Sequence, residues 1–318
     1  MLKSGEKLGA FIVPTGVGAS IGGFAGDASL WARRFTKKSK LIVNPNVVNA
    51  GGFSGITDEM FYVEGYSLDE FFKGNLFIEP SSANKIGVVF DKAIPKDVLN
   101  VHINTINAVK VVYGINVCEY MLTDEEVGVE FNVEGISIGS VKNPQTLLKA
   151  AKNLVKMGCD AVALVCFFDD AEVDNPDYSK GIGVDPIGGV EAIISHFISK
   201  ELKIPCAHAP AFKDYQISSA LVDAKASSEY ITPTFLPCVL LGLNNAPRLS
   251  NCGIGVNDLD YLVMPYNSLG SIPVFECLKR GINVFAIKEN STVLDVSPEK
   301  ISSKIIVFET YEDCFNTL

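Results

Sequence analysis

A glycine-rich segment is the part of this sequence best suited to holding a ligand. Five glycines lie among the eleven residues 16–26, directly after the apolar run Leu8 to Val13. Glycine accepts positive φ without steric cost, so such a loop can point several backbone N–H groups at one anion. Close packing of a tight turn is the alternative. The residues expected to contact a small anionic ligand are Gly16, Gly18, Ser20, Gly22 and Gly23.

The glycine-rich segment matches neither familiar phosphate-binding motif. A dinucleotide fingerprint starting at Gly16 would need a third glycine where the chain has Ile21. A P-loop ending at Gly23 would need a lysine where the chain has Phe24. The sequence therefore contains no NAD or ATP motif, and the identity of any cofactor stays open.

Two further loops have the same composition. Asp185-Pro186 precedes two glycines in the first turn of a predicted helix, where each costs up to about 1 kcal/mol relative to alanine. Another loop lies between a predicted strand ending at Pro265 and a helix starting near Pro273, a place where open α/β folds bind ligands. The expected ligand contacts in these loops are Gly188, Gly189, Asn267, Ser268 and Gly270.

His208 is the candidate general acid or base. It follows the predicted strand Ile204 to Ala207, and Cys206 lies two residues back on the same face of that strand. A nearby histidine can hold a thiol as thiolate, which makes Cys206 a candidate nucleophile. A cysteine inside a buried strand is, however, usually an inert apolar residue. His102 and His196 are expected to be structural.

Carboxylates cluster after the predicted strand Ala161 to Phe168. Carboxylates at the carboxyl edge of a sheet can orient a histidine, share a proton or hold a divalent cation such as Mg²⁺. Asp170 and Asp185 are the candidate partners of His208. The spacing matches no metal loop, so no metal ligand is assigned, and a solvated acidic loop is the alternative. The cluster comprises Asp169, Asp170, Glu172, Asp174, Asp177 and Asp185.

The pattern of strands and helices expected around these residues predicts an α/β protein. Residues 1–138 are expected to form a strand-rich α+β domain with one clear helix, Pro95 to Val112. Residues 139–318 alternate helices and strands, which predicts a Rossmann-like domain with a largely parallel sheet covered by helices. The boundary is placed at 138/139.

Composition narrows the classes of partner. The 318 residues include 27 basic and 37 acidic side chains and carry a net charge of −10, which argues against nucleic acid. Eight cysteines without a Cys-x-x-Cys pair predict free thiols, with neither a disulfide nor zinc. No segment approaches the ~20 apolar residues of a membrane span. We therefore expect a cytoplasmic protein with a small-molecule ligand and no membrane partner, and homo-oligomerisation stays open.

Several motifs resemble a known family. They are Val13-Pro-Thr-Gly-Val-Gly-Ala-Ser-Ile-Gly-Gly23, Tyr62-Val-Glu-Gly-Tyr66, Gly183-Val-Asp-Pro186, Ile204-Pro-Cys-Ala-His-Ala-Pro210 and Thr234-Phe-Leu-Pro-Cys238. Together they are similar to a family of uncharacterised proteins from cyanobacteria, other bacteria and plants. The family is a domain of unknown function, so the resemblance implies no activity, cofactor or catalytic residue.

The residues themselves favour an enzyme. The expected reaction is of lyase, isomerase or hydrolase type on a small, polar, anionic metabolite, with His208 as general acid or base and Asp185 or Asp170 as its partner. A non-catalytic metabolite sensor or assembly factor that uses the same loops is the alternative. A lower alternative is a two-thiol racemase, because Asn44-Pro45-Asn46 resembles the start of aspartate/glutamate racemases.

Overall fold

A computed structural model describes residues 5–81, 83–169, 177–213 and 215–318. The strands in these ranges are β1 Leu8–Phe11, β2 Lys40–Val43, β3 Asn49–Ala50, β4 Phe53–Ser54, β5 Met60–Tyr62, β6 Phe77–Glu79, β7 Ile86–Phe90, β8 Val117–Leu122, β9 Val129–Glu134, β10 Ile136–Val141, β11 Ala161–Phe168, β12 Cys206–Phe212, β13 Arg248–Ser250, β14 Tyr261–Pro265, β15 Asn283–Ile287 and β16 Ile306–Phe308. The helices are α1 Ser29–Phe35, α2 Pro45–Val48, α3 Gly65–Lys73, α4 Lys96–Tyr113, α5 Pro144–Lys156, α6 Gly188–Leu202, α7 Ser227–Tyr230, α8 Leu236–Asn244, α9 Ile272–Arg280, α10 Pro298–Ile301 and α11 Tyr311–Thr317.

Two parallel sheets form the framework. The larger has six strands in the order β16-β15-β14-β1-β2-β5, and the smaller has four in the order β12-β11-β7-β8. Every pairing within both sheets is parallel. Helices connect and cover the strands, as parallel pairing requires. The predicted α/β class with parallel sheets is confirmed.

The boundary expected at 138/139 does not separate the two sheets. Each sheet takes strands from both sides of it: β1 pairs with β14 in the larger sheet, and β7 pairs with β11 in the smaller. The boundary also falls inside β10, which forms an antiparallel hairpin with β9. Long-range strand pairing leaves no composition signal at the point where the chain changes sheets.

The αβ unit at 144–168 shows why some elements could be predicted from local sequence alone. Pro144 occupies the first turn of α5, where its missing N–H is not needed, and Gly158 follows the helix with φ +92°. The next segment, β11, is apolar throughout, and its alternate residues are buried in two different core clusters, so both of its faces are covered.

The helix α8 fills the space between the sheets. Its residues Leu236, Val239, Leu240 and Leu243 are fully buried in the main core, together with side chains from β1, β7 and β11. A helix that is apolar on every side is buried on every side. It lacks the one-sided periodicity by which sequence analysis finds helices, which explains why it was not predicted.

The expectation of eight free thiols is wrong for one pair of cysteines. Cys118 of the edge strand β8 and Cys159, which precedes β11, form a disulfide. The remaining six cysteines are free, and five of those are buried. The two bonded residues are 41 positions apart and come together only because β8 and β11 both flank β7.

Thiol titration of the denatured, unreduced protein is therefore expected to find six free thiols. Reduction should lower the free energy of unfolding by roughly 4 kcal/mol, the loop-closure entropy expected for a loop of this length. A Cys118→Ser variant should show the same loss without reductant, and reductant should not destabilise it further. Eight titratable thiols in protein purified without reductant would contradict the pairing.

Candidate functional site

The loops that follow the carboxyl ends of β1, β11 and β12 meet one another. The glycine-rich segment after β1 contacts the other two: the Ala25 N–H donates to Glu229 Oε1 at 2.6 Å, and the Phe24 and Tyr178 rings lie 4.6 Å apart. Tyr178 also donates its hydroxyl to Glu229 Oε1 at 2.9 Å. One region is therefore built from the carboxyl edges of both sheets, the edge where ligands bind in open α/β folds.

Several backbone N–H groups of the glycine-rich segment already donate to acceptors within the protein. The N–H groups of Ser20, Ile21 and Gly22 donate to protein acceptors at 2.7–3.0 Å. Gly16 and Gly18 adopt positive φ, and their N–H groups have no acceptor in the described ranges. Ser20 and Gly22 therefore help to shape the loop, and Gly16 and Gly18 are left as its candidate donors.

Two asparagines after β2 brace this loop. Asn44 exchanges two hydrogen bonds with the backbone of Val13, at 3.1 and 2.8 Å. Asn46 donates to the Gly22 carbonyl at 2.6 Å. A Cβ on Gly23 would lie 2.1 Å from the Ala19 carbonyl oxygen. The presence of the Asn-Pro-Asn motif and of Gly23 is therefore explained by the structure of the loop, without a ligand.

The loop at 185–189 packs directly on the glycine-rich segment. Asp185 Oδ1 accepts the Ile187 N–H at 3.0 Å. The Cβ position of Gly188 is 2.7 Å from Thr15 Oγ1 and 2.9 Å from Asp185 Oδ2, so the two predicted loops meet there. The Gly189 N–H donates to Ser137 Oγ at 2.9 Å, so this glycine serves packing against β10 rather than a ligand.

The side chains of the loop at 267–270 make hydrogen bonds and packing contacts within the protein. The Asn267 side chain donates to the carbonyls of Thr292 and Leu294 at 2.9 and 2.6 Å and accepts the Thr292 N–H at 2.7 Å. Ser268 is 3 % exposed and pairs with Val296. A Gly270 Cβ would touch Val296 at 3.2 Å. The ligand role expected for these three residues has no support in the geometry.

His208 lies inside β12, not at its end, because this strand continues to Phe212. Its ring points to α6: Nδ1 is 3.0 Å from Ser195 Oγ, and Nε2 is 3.5 Å from Glu191 Oε2. Both partners are on one face of α6, four residues apart. The His208 and Glu191 side chains are 17 % and 10 % exposed. Glu191 Oε1 is buried without a hydrogen-bond partner in the described ranges.

Cys206 shares the face of β12 that carries His208, as predicted, but the two side chains make no hydrogen bond. Cys206 is 1 % exposed, and burial raises the pKa of its thiol well above the usual value, with Glu64 and Cys166 adding to the effect. A raised pKa disfavours the thiolate, so the geometry does not support Cys206 as a nucleophile. Cys166 is equally buried with a raised pKa, which also removes support from a two-thiol mechanism.

A chain of carboxyl groups links the glycine-rich segment to His208. Burial raises the pKa of Asp27 to about 6, and burial with the neighbouring Glu191 raises the pKa of Asp185 to about 6. Burial and the neighbouring Asp185 raise the pKa of Glu229 to about 8. We call Asp27, Asp185, Glu191 and Glu229 the carboxyl cluster. Like charges this close disfavour full ionisation, so the cluster retains protons near neutral pH.

Sequence analysis found Asp185 and missed the other three members. Glu191 and Ser195 carry a weak signal, since they are polar residues four apart in the largely apolar first half of α6. Glu229 is in the short helix α7 and gives none. Asp170, the other predicted partner of His208, lies outside the described residues. Within the ranges that are described, no three His, Cys, Asp or Glu side chains are arranged to hold a metal ion.

The fold and site together define an α/β protein with two parallel sheets and a group of buried carboxyl side chains that extends from their carboxyl edges to His208 inside β12. The chain belongs to the family described as "Protein of unknown function (DUF3326)", which it matches over residues 9–318. It is 35 % identical over 311 residues to a protein of Synechococcus sp. named an uncharacterized lipoprotein, covering 94 % of this chain and 86 % of that protein. No solved structure matches the chain.

The relative's name corrects the expected location. A lipoprotein is anchored to a membrane through a covalent lipid, so a cytoplasmic assignment is wrong by this comparison. None of the helices in the described ranges is both long and apolar enough to cross a bilayer.

Proposed function

We propose that this protein is an enzyme that acts on a small polar metabolite by general acid–base catalysis at the carboxyl cluster and His208. The observation that carries the proposal is the buried Glu191 Oε1 beside the His208 ring, without a hydrogen-bond partner in the described ranges. Leaving a buried polar atom unpaired costs stability, and binding sites are where that cost is commonly retained. The reaction class is that of a lyase, isomerase or hydrolase.

The differing pKa values within the cluster supply both an acid and a base. With a pKa of about 8, Glu229 is mostly protonated at pH 7 and can donate a proton. With a pKa of about 6, Asp185 is mostly ionised and can accept one. Neighbouring groups whose pKa values are pushed apart are the usual basis of acid and base assignments. An anionic group of the substrate would bind the N–H groups of Gly16 and Gly18.

A non-catalytic sensor is the second candidate. A sensor pocket would be lined by backbone and hydroxyl groups, whereas several titratable side chains favour an enzyme. The structural use of Asn267, Ser268 and Gly189 removes expected ligand contacts from both candidates, because the sensor would bind through the same loops. The carboxyl cluster favours the enzyme, because three of its carboxyl groups, those of Asp27, Asp185 and Glu229, have raised pKa values.

We also propose that the protein works outside the cytoplasm, at a membrane surface. The name of the Synechococcus relative supports a lipid anchor. The disulfide between Cys118 and Cys159 supports an oxidising compartment, because cytoplasmic thiols are kept reduced.

A metabolite screen with the full chain tests the enzymatic proposal. Small carboxylates and phosphates that bind the wild type in NMR or thermal-shift assays should be converted, and conversion should be visible by NMR. Glu191→Gln keeps the side-chain shape but cannot donate or accept a proton in the same way, so it should slow turnover at least ~100-fold. Glu201→Gln, an exposed residue near the end of the same helix, is the matched control.

Binding by the wild type without any conversion would favour the sensor. Equal turnover by the wild type and Glu191→Gln would remove the carboxyl cluster from the reaction.

A further inference from the structure

Ser195 contacts three polar atoms that together restrict where its proton can point. Its Oγ lies 3.0 Å from His208 Nδ1 and 3.3 Å from the backbone carbonyl oxygens of both Glu191 and Ala192. The residue is 3 % exposed, so water cannot easily replace these contacts. The hydroxyl therefore has one proton to share among these neighbours.

The two carbonyls decide the direction of that proton. A carbonyl oxygen can only accept, so without a proton between them the serine oxygen and both carbonyl oxygens would present lone pairs to one another. A serine inside a helix commonly donates to the carbonyl one turn earlier. With the hydroxyl proton used in this way, Ser195 Oγ must accept from His208, and the imidazole proton is on Nδ1.

This assignment determines the state of the other ring nitrogen, Nε2. When His208 is neutral, Nε2 carries a bare lone pair that faces Glu191 Oε2 at 3.5 Å. An ionised carboxylate repels this lone pair, so the two side chains, His208 and Glu191, form a stable contact only with one proton between them. With that proton on Nε2, the pair is an imidazolium and a carboxylate. With the proton on Glu191, the pair is a neutral imidazole and a carboxylic acid. Both forms hold the same number of protons.

We infer that Ser195 is a positioning residue that holds His208 as the Nδ1–H tautomer, so that Nε2 and Glu191 share one transferable proton. The catalytic meaning of this pair rests on the proposed function, since Glu191 Oε1 is the oxygen left for a substrate. The tautomer itself does not depend on it. The arrangement resembles a catalytic triad in residue types, but the buried serine orients the ring and is not a nucleophile.

The other titratable groups around the pair leave this inference intact. Asp185 lies close enough to interact electrostatically with both Glu191 and His208, and its negative charge favours a proton on the pair. Cys166 of β11 and Tyr62 of β5 also lie close enough to interact electrostatically with Glu191. Burial raises the pKa of both groups well above their usual values, so they stay neutral and do not compete for the proton.

Nitrogen-15 NMR of the full-length protein tests the tautomer directly. The chain has only three histidines, and a His208→Gln variant identifies the signals of this ring. In the form with a neutral ring and the shared proton on Glu191, we expect the shift of a protonated nitrogen at Nδ1 and of an unprotonated nitrogen at Nε2. Free histidine prefers the opposite tautomer, so the expected result is distinctive. It needs no ligand and no activity.

Substitution of the serine tests its positioning role. Ser195→Ala should shift the neutral ring toward the Nε2–H tautomer, because the acceptor for Nδ1–H is gone. Ser199→Ala is the matched control, since Ser199 is one turn further along α6 and equally buried, and its Oγ has no hydrogen-bond partner in the described ranges. It should leave the tautomer unchanged.

Three outcomes decide between the possibilities. A wild-type ring with Nε2–H would overturn the inference, whatever the variants do. An Nδ1–H ring that persists in Ser195→Ala would show that another group positions it. If the tautomer is as expected but no metabolite is converted, the positioning role stands and the enzymatic proposal fails.

Discussion

Raising the pH from 6 to 8 is expected to destabilise this protein, and Glu229→Gln should remove much of that loss. The pKa of Glu229 is raised from 4.5 to about 8 in the folded state. Between these values the unfolded chain releases the proton while the folded protein keeps it, so stability falls as pH rises, by at most about 1.4 kcal/mol per pH unit. Above pH 8 both states are ionised and the slope disappears.

The window from pH 6 to 8 isolates this residue from its neighbours. The raised pKa values of Asp27 and Asp185, about 6, confine their effect to lower pH. Glutamine does not titrate and can still accept the Ala25 N–H. Because Glu229 is only partly buried as a residue, we expect a difference of about 2 kcal/mol between the wild-type and variant losses. Urea denaturation at several pH values measures it.

A Glu201→Gln variant is the control for loss of charge, because this carboxyl group is exposed near the end of α6. Its stability should follow the wild-type pH curve. A Glu229→Gln curve parallel to the wild type between pH 6 and 8 would show that Glu229 titrates as an ordinary carboxylate.

Gly189→Ala is expected to destabilise the protein by about 3 kcal/mol, although the same change in an open helix position stabilises by up to about 1 kcal/mol. A Cβ at this position would lie 2.2 Å from the backbone carbonyl oxygen of Ser137, a contact that only movement of α6 away from β10 could relieve. Backbone cannot move aside as a side chain can, so the overpacking cost is large. Thermal or urea denaturation measures this loss.

Gly270→Ala is the comparison for this substitution. Its new Cβ would meet a side-chain methyl of Val296 at 3.2 Å, which small adjustments can relieve. We expect a change within ~1 kcal/mol. Similar losses for both variants would show that the packing of Gly189 on Ser137 is looser than described.

The local elements were predictable because neighbouring residues specify them. Pro144 and Gly158 bound α5, and the apolar run Ala161 to Phe168 forms the central strand β11 with the predicted limits. The glycine-rich segment follows β1, and Asp185 lies beside it. Capping residues, glycine conformations and apolar periodicity all act over a few positions, so a single sequence contains them in full.

Only the tertiary structure decided which of these pieces meet. The sequence by itself determined an α/β chain with parallel strands, a glycine-rich loop and the placement of His208 and Cys206 on one strand face. It could not show that β1 pairs with β14, that Cys118 bonds to Cys159, or that Glu191 and Glu229 join His208 in one cluster. Such contacts join positions tens to hundreds of residues apart. Each depends on strand order and helix packing, which no local pattern encodes.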